Sequence, residues 1–251
     1  MATLTLHVLG PFQALLDGQA ITHFSSNKVR ALLAYLAVES DRPHSREALA
    51  TLLFPDWADR AALSNLRYVL SDLRQALGDA GHGPAPSRAS LGDAPPQPPF
   101  LHITREMVQF NTASDHWVDV LELGRQAQAA RETAQEQESI HWLASCASLY
   151  KGSFLEGFSV GDSAAFEEWV SFKRDQVARQ VQEALHQLAA LLEQRDEYEQ
   201  ALRYARRQLE MEPWQEEAHQ QVMRLLAQSG QRSKALAQYE ACRRLLANEL
   251  G

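Results

Sequence analysis

Hydrophobic and polar residues alternate from Thr3 to Leu9, with Leu4, Leu6 and Val8 on one side and Thr3, Thr5 and His7 on the other. That is the period of a strand with one face buried. Phe12, Ala14 and Leu16 repeat it up to Asp17-Gly18, a dipeptide suited to a two-residue hairpin turn because glycine adopts positive φ without steric cost. An N-terminal β-meander is predicted. From Ser26 the period becomes helical: Val29, Leu32, Leu33, Leu36 and Ala37 share one face, with Ser25 or Ser26 as N-cap. Asp41-Arg42-Pro43 interrupts the chain, Ser45 can cap a short helix through Leu53, and Pro55 ends it. A third helix is predicted from about Arg60 to Leu77, with Gly78 after it as the residue that turns the chain out of the helix.

Residues 78–99 hold six prolines and four glycines without apolar periodicity, the composition of a flexible loop, placed at 79–99. Leu101 and Ile103, then Val108 and Phe110, flank Arg105-Glu106 as a second hairpin, which after a third helix would be a wing. Beyond Asp115 the pattern is entirely helical, with helices at about 116–131, 136–151, 163–194, 197–211, 215–229 and 232–248. Leu188, Leu191, Leu192, Ala201, Leu202 and Ala205 recur 34 positions later as Val222, Leu225, Leu226, Ala235, Leu236 and Tyr239. Thirty-four residues is the tetratricopeptide period, about the length of one helical hairpin that must stack on another to bury its apolar face. The fold class is therefore mainly α with a small β part. A winged helix-turn-helix domain at residues 1–112 is followed by an all-α tetratricopeptide-like repeat domain at 113–251.

The chemistry of the first half rests on its third helix. At about 100° per residue, Leu63, Leu66, Val69, Leu70, Leu73 and Leu77 form one face, while Ser64, Tyr68, Ser71 and Gln75 centre the other, with Arg67 and Arg74 beside them and Asp72 as its only acid. Such a face suits a major groove about 12 Å wide, where Arg reads guanine, Gln or Asn reads adenine, and Ser or Tyr holds phosphate. Composition alone fits a solvated helix face equally well, and it is the position between a turn and a wing that favours DNA.

The charge balance is a counterweight. The 251-residue chain carries 24 basic and 32 acidic residues, a net of −8, and residues 1–112 carry nine Lys or Arg against ten Asp or Glu. Most DNA-binding modules are clearly basic. The distribution is more favourable, since Lys28, Arg30, Arg46, Arg60, Arg67, Arg74 and Arg105 lie on or beside the helices and the wing, whereas Asp17, Asp79 and Asp93 are assigned to turns and the loop. Modest, salt-dependent affinity is expected, reinforced by dimerisation or a tandem site.

Cys146 and Cys242 are too few and too distant for a disulfide framework or zinc site, and the nine histidines form no H-E-x-x-H pair. No phosphate-binding or nucleophile-elbow motif occurs, so neither enzymatic activity, a cofactor nor a metal is expected. No window approaches the roughly 18 to 20 apolar residues that span a bilayer, and a cytoplasmic protein without a membrane partner is expected.

Leu9-Gly10, Lys28-Val29-Arg30-Ala31-Leu32-Leu33-Ala34-Tyr35-Leu36-Ala37, Arg42-Pro43-His44-Ser45-Arg46, Leu53-Phe54-Pro55-Asp56 and Asn65-Leu66-Arg67 through Leu77-Gly78 resemble the OmpR-type winged helix of the Streptomyces antibiotic regulatory protein family. Val118-Asp119-Val120, Tyr150-Lys151-Gly152, Glu168-Trp169, the two repeats and Glu249-Leu250-Gly251 are similar to the bacterial transcriptional activator domain that accompanies it. The resemblance implies a transcriptional activator that binds direct repeats in double-stranded DNA head to tail, pairs as a homodimer there and helps recruit RNA polymerase. By position it implies groove or phosphate contacts from Arg67 and Arg74 with Asn65, Tyr68 and Ser71 beside them, backbone support from Lys28 and Arg30, and wing contacts from Thr104 and Arg105. Ala62-Leu63 stands where relatives commonly have a basic residue, and the wing resembles that of large multidomain relatives, so a fragment of a longer protein is expected. The competing reading is a protein-interaction scaffold, its repeats binding a partner and its winged helix serving as a docking module.

Overall fold

The computed structural model describes residues 2–79 and 98–250. The predicted loop at 79–99 falls mostly outside them. Two compact units emerge: Met1–Glu122 with Gly152–Arg174, and Leu123–Lys151 with Asp175–Gly251. These do not follow the expected 112/113 boundary, because residues 113–122 and 152–174 pack with the first unit.

In the first unit the meander forms as β1 (Leu4–His7), β2 (Gln13–Leu16) and β3 (Gln19–Ala20). Asp17 and Gly18 take φ of 51° and 76° at the turn, the left-handed pair a tight hairpin needs. The expectation of no strand after Asp115 is corrected by β7 (His116–Val118), which pairs parallel with β1 in a sheet ordered β3-β2-β1-β7. Three residues are too few to show a period, and this strand exists through its partner 112 residues away. The predicted helix at 116 consequently begins only at α4 (Asp119–Glu132). Asp119 links the two elements: its buried carboxylate accepts N–H bonds from Val8, Leu9 and Val120 at 2.8 to 3.0 Å. Burial pushes its pKa up against these donors.

Further along β1 the chain meets the segment from Gly152. Gly10 N–H bonds to Ser153, and Leu155 N–H bonds to Val8. A Cβ on Gly152 would run into the Glu156 carboxylate and lie 3.2 Å from the Gly10 Cα, so a side chain there would force Glu156 aside and crowd the Gly10 backbone.

Helices α1 (Asn27–Val38), α2 (Arg46–Leu53) and α3 (Asp59–Ala76) follow the predicted pattern. Leu32, Leu33, Leu36, Leu49, Leu53, Leu66 and Leu73 are fully buried. Ser45 caps α2 by accepting the Ala48 N–H at 3.1 Å. Ser26 occupies the N-cap of α1 but makes no side-chain cap bond, and Ser25 instead bonds Asp72 of α3 through its N–H and hydroxyl. The wing is β5 (Leu101–Ile103) and β6 (Met107–Phe110), joined by β4 (His44–Ser45) in a sheet ordered β4-β6-β5.

In the second unit, the remainder of α4 joins α5 (Glu136–Leu149), the latter part of α6 (Ala164–Gln194), α7 (Tyr198–Met211), α8 (Glu216–Gln228) and α9 (Arg232–Leu250). The 34-residue repeat extends to the backbone. Asp196 and Gly230 both take positive φ, and Glu197 N–H to Leu192 at 2.9 Å recurs as Gln231 N–H to Leu226 at 2.8 Å. Each is the six-to-one bond of a Schellman helix end. The core joins Leu188, Leu192, Ala201, Leu202 and Ala205 to Val222, Leu225 and Leu226, with Leu143 and Cys146 of α5. Among the described residues no helix is long and apolar enough to cross a membrane.

Candidate nucleic-acid interface

α3 follows α2 after a short turn and buries Ala62, Leu66, Val69, Leu70 and Leu73, so its polar face is directed outward by its own packing. Leu63, assigned to the buried face, is only half-buried, and Ala62 takes a buried position beside it. The outward residues Arg60, Ser64, Arg67 and Ser71 succeed one another by three or four positions and form one stripe along the helix, with Tyr68 and Gln75 on its flank. Arg60, Arg67, Tyr68, Ser71 and Gln75 are exposed, and Ser64 is half-buried. Tyr68 shows 73% of its surface. Asp72, the one acid on this side, is held by Ser25.

The other expected contacts divide. Asn65 bends back within α3, its amide donating to the Ala61 carbonyl at 3.0 Å. Arg74 is half-buried and donates to the Asp79 carbonyl at 3.1 Å, which ties it to the end of its own helix. Asp79 itself does not belong to a free turn. It is buried, and its carboxylate accepts the N–H groups of Phe100 and Leu101, each at 3.2 Å, so the start of the wing is anchored to the end of α3.

Lys28 forms an ion pair with Asp162 at 2.7 Å and lies 4.1 Å from the Phe54 ring centroid, with only 16% of its side chain exposed. Its partner's carboxyl is held low by the Lys28 hydrogen bond. Arg30 sits over Phe24 and donates to Asn27 at 3.3 Å. Arg46 donates to the Thr104 carbonyl at 3.2 Å and so joins α2 to the wing. Thr104 closes the wing turn, its hydroxyl accepting the Glu106 and Met107 N–H groups, which leaves Arg105 exposed at the tip. Of the expected basic contacts, the side chains of Arg60, Arg67 and Arg105 make no hydrogen bond or ion pair among the described residues.

One feature escaped the reading of the sequence. Trp57, half exposed, borders an open cleft of about 390 Å³ between α2 and α3, lined by Ala50, Phe54, Pro55 and Leu63 with Glu47 and Asp59 at its rim. Pro55-Asp56-Trp57 looks only like a turn, and an exposed aromatic there carries no periodic signal. Among the described residues, no three His, Cys, Asp or Glu side chains come together as a metal site.

Comparison with known proteins matches these observations to relatives. The transcriptional regulatory protein EmbR of Mycobacterium tuberculosis (strain ATCC 25618 / H37Rv) is 37% identical over 89 residues, which cover 36% of this chain and 22% of that protein. EmbR of Mycobacterium bovis is similar to the same extent. The solved structure of Mycobacterium tuberculosis EmbR in complex with a low affinity phosphopeptide shares the fold, with a TM-score of 0.73 at 20% identity. The match covers all of this chain and 62% of that one. The bacterial transcriptional activator domain matches residues 118–251, just over half of the chain. With its winged helix first and helical repeats after, the chain belongs to the bacterial transcriptional activator domain family.

Proposed function

We propose that this protein is a sequence-specific DNA-binding transcriptional activator that lays α3 in the major groove, with the wing tip on the neighbouring backbone. The observation that carries the reading is the outward stripe Arg60, Ser64, Arg67 and Ser71, flanked by Tyr68 and followed by a wing that presents Arg105. In this reading Arg67, at the centre of the stripe, reads a base edge, while Arg60 at the start of α3 and Arg105 at the wing tip contact phosphates that hold the helix in register. Lys28, Arg46 and Arg74 support the scaffold through their bonds to Asp162, Thr104 and Asp79. Three exposed arginines give one protomer a small electrostatic contribution, so two protomers on direct repeats supply the affinity, and RNA polymerase is the downstream partner.

The experiment is fluorescence anisotropy with DNA from upstream of the gene's own neighbourhood, in the presence of unrelated competitor. Two phosphate contacts per protomer, from Arg60 and Arg105, give a slope of log K against log salt of about −1.8 per protomer, a loss of roughly twelvefold between about 50 and 200 mM. Saturable binding with that slope supports the proposal. The scaffold reading draws on the balance of nine basic against ten acidic residues in 1–112, and it requires a folded sample that binds no DNA at either salt.

A further inference from the structure

The turn between α2 and α3 holds an aromatic side chain that the packing of its unit leaves half uncovered. Trp57 keeps 50% of its surface exposed, whereas Phe54 is 6% exposed and meets it edge to face with ring centroids 6.0 Å apart. Glu47, Ala50, Thr51 and Phe54 fall at i, i+3, i+4 and i+7, one line along α2 and its end, and they share a cleft with Trp57, Asp59, Ala62 and Leu63 from the turn and the start of α3. Ala50 and Ala62 are buried there, and two such short side chains leave room between the helices. The cleft measures about 390 Å³, within the span of about 300 to 1,000 Å³ usual for small-molecule sites.

Its chemistry is one-sided. The apolar wall is Phe54, Pro55, Trp57 and Leu63, and the charged side chains that line it are both acidic, Glu47 in the first turn of α2 and Asp59 in the first turn of α3. Both are exposed, and neither makes a side-chain hydrogen bond or ion pair among the described residues. Phe54 already accepts a cation, the Lys28 ammonium at 4.1 Å from its centroid, but Lys28 is paired with Asp162 and does not line the cleft. The half-exposed indole of Trp57 is a better cation acceptor than a phenyl ring. We propose that this cleft binds a small organic cation, an amine on a short apolar or aromatic stem. The stem lies against Phe54, Pro55 and Leu63, and the ammonium sits at the Trp57 ring between the Glu47 and Asp59 carboxylates. The proposal stands independently of DNA binding, because none of Arg60, Ser64, Arg67 and Ser71 lines the cleft.

The probe is phenylpropylamine, titrated into the full chain by calorimetry and followed by the indole N–H resonances of the five tryptophans. Phenylpropanol and phenylpropionate serve as its neutral and anionic counterparts. The amine is expected to bind at one site and to shift the Trp57 resonance, identified through Trp57→Phe, with the alcohol weaker by about tenfold or more, as loss of a charged donor implies. Glu47→Gln with Asp59→Asn should weaken the amine by about tenfold or more and leave the alcohol unchanged. Trp57→Leu, which keeps an apolar wall but removes the π face, should weaken the amine by about two- to fivefold. All three positions are exposed, so an unchanged melting temperature is the check that each variant is folded. The proposal is overturned if the amine shows no saturable binding, if amine and alcohol bind equally, if the carboxamide pair leaves the amine's affinity unchanged, or if other indole resonances shift while that of Trp57 does not. N-acetyl-lysine methylamide carries its ammonium on a stem flanked by peptide groups and should bind more weakly. Equal or tighter binding of that probe overturns the small-molecule assignment in favour of a protein side chain.

Discussion

Arg67 of α3 and Arg207 of α7 are both helix arginines, one in each unit, and they end in opposite situations. Arg67 is exposed, with no partner among the described residues. Arg207 is half-buried and donates to the carbonyls of Ala147 and Tyr150 at the end of α5, where a helix leaves carbonyls unsatisfied and its dipole is negative. Arg224 forks onto Glu193 at 2.7 and 2.9 Å. The repeat unit thus uses these arginines to join one helix to another, whereas the winged-helix unit leaves arginines along one outward stripe. Net charge hides the contrast, since a cation engaged with its own chain contributes little to a phosphate backbone. What matters for DNA is which guanidinium groups remain unengaged.

That contrast can be broken most forcefully at the base of the stripe. Leu66→Ala or Leu73→Ala should cost about 2 to 5 kcal/mol in urea unfolding, because each removes a fully buried side chain that sets the orientation of α3. A loss well below that range would mean the outward face is wrongly assigned. Next, Arg67→Ala and Arg207→Ala should show reciprocal effects. The first should weaken DNA binding by about 1 to 3 kcal/mol with an unchanged melting temperature. The second should leave DNA binding intact and lower stability by about 1 to 3 kcal/mol, as two carbonyls lose a charged donor. Equal effects of both on stability would erase the distinction.

A smaller effect concerns Glu39, where Lys173 at 2.8 Å and the Trp169 indole N–H at 2.9 Å meet one carboxylate in the first unit. Burial pushes its pKa up, but these bonds outweigh burial and hold it below the ordinary carboxylate value. A depressed folded pKa means stability that is present above the unfolded value and lost as pH falls through the carboxylate range toward the folded one. Glu39→Gln should flatten that part of the acid profile by about 1 kcal/mol or less, followed by thermal melts at stepped pH. Arg224→Ala should give the smallest change, under about 1 kcal/mol and screened by salt, since its side chain is half exposed.

Local chemistry was legible in the sequence wherever it acts over a few residues. Asp17-Gly18 announced its turn, Ser45 its cap, and Leu66 to Leu77 their buried face, because each depends on backbone preference or helical period alone. His116–Val118 and His44–Ser45 were not legible as strands, since two or three residues adopt that form only when a distant edge receives them. The same limit applied to the candidate interface. The orientation of Arg67 and Ser71 followed from periodicity, but the engagement of Lys28 depended on Asp162, 134 residues away. The role of Arg74 depended on a carbonyl outside the helical pattern. For the repeats, period gave the pairing of Leu202 with Leu236, whereas burial of the first and exposure of the second depends on which neighbour each helix has.

The carboxylate of Asp79 has a consequence for how this unit holds its parts together. By holding Phe100 and Leu101 it brings the two ends of the intervening stretch together from outside that stretch. The first strand of the wing therefore takes its position from a side chain at the end of α3, so that helix and the wing are set by one carboxylate as well as by their own hydrogen bonds.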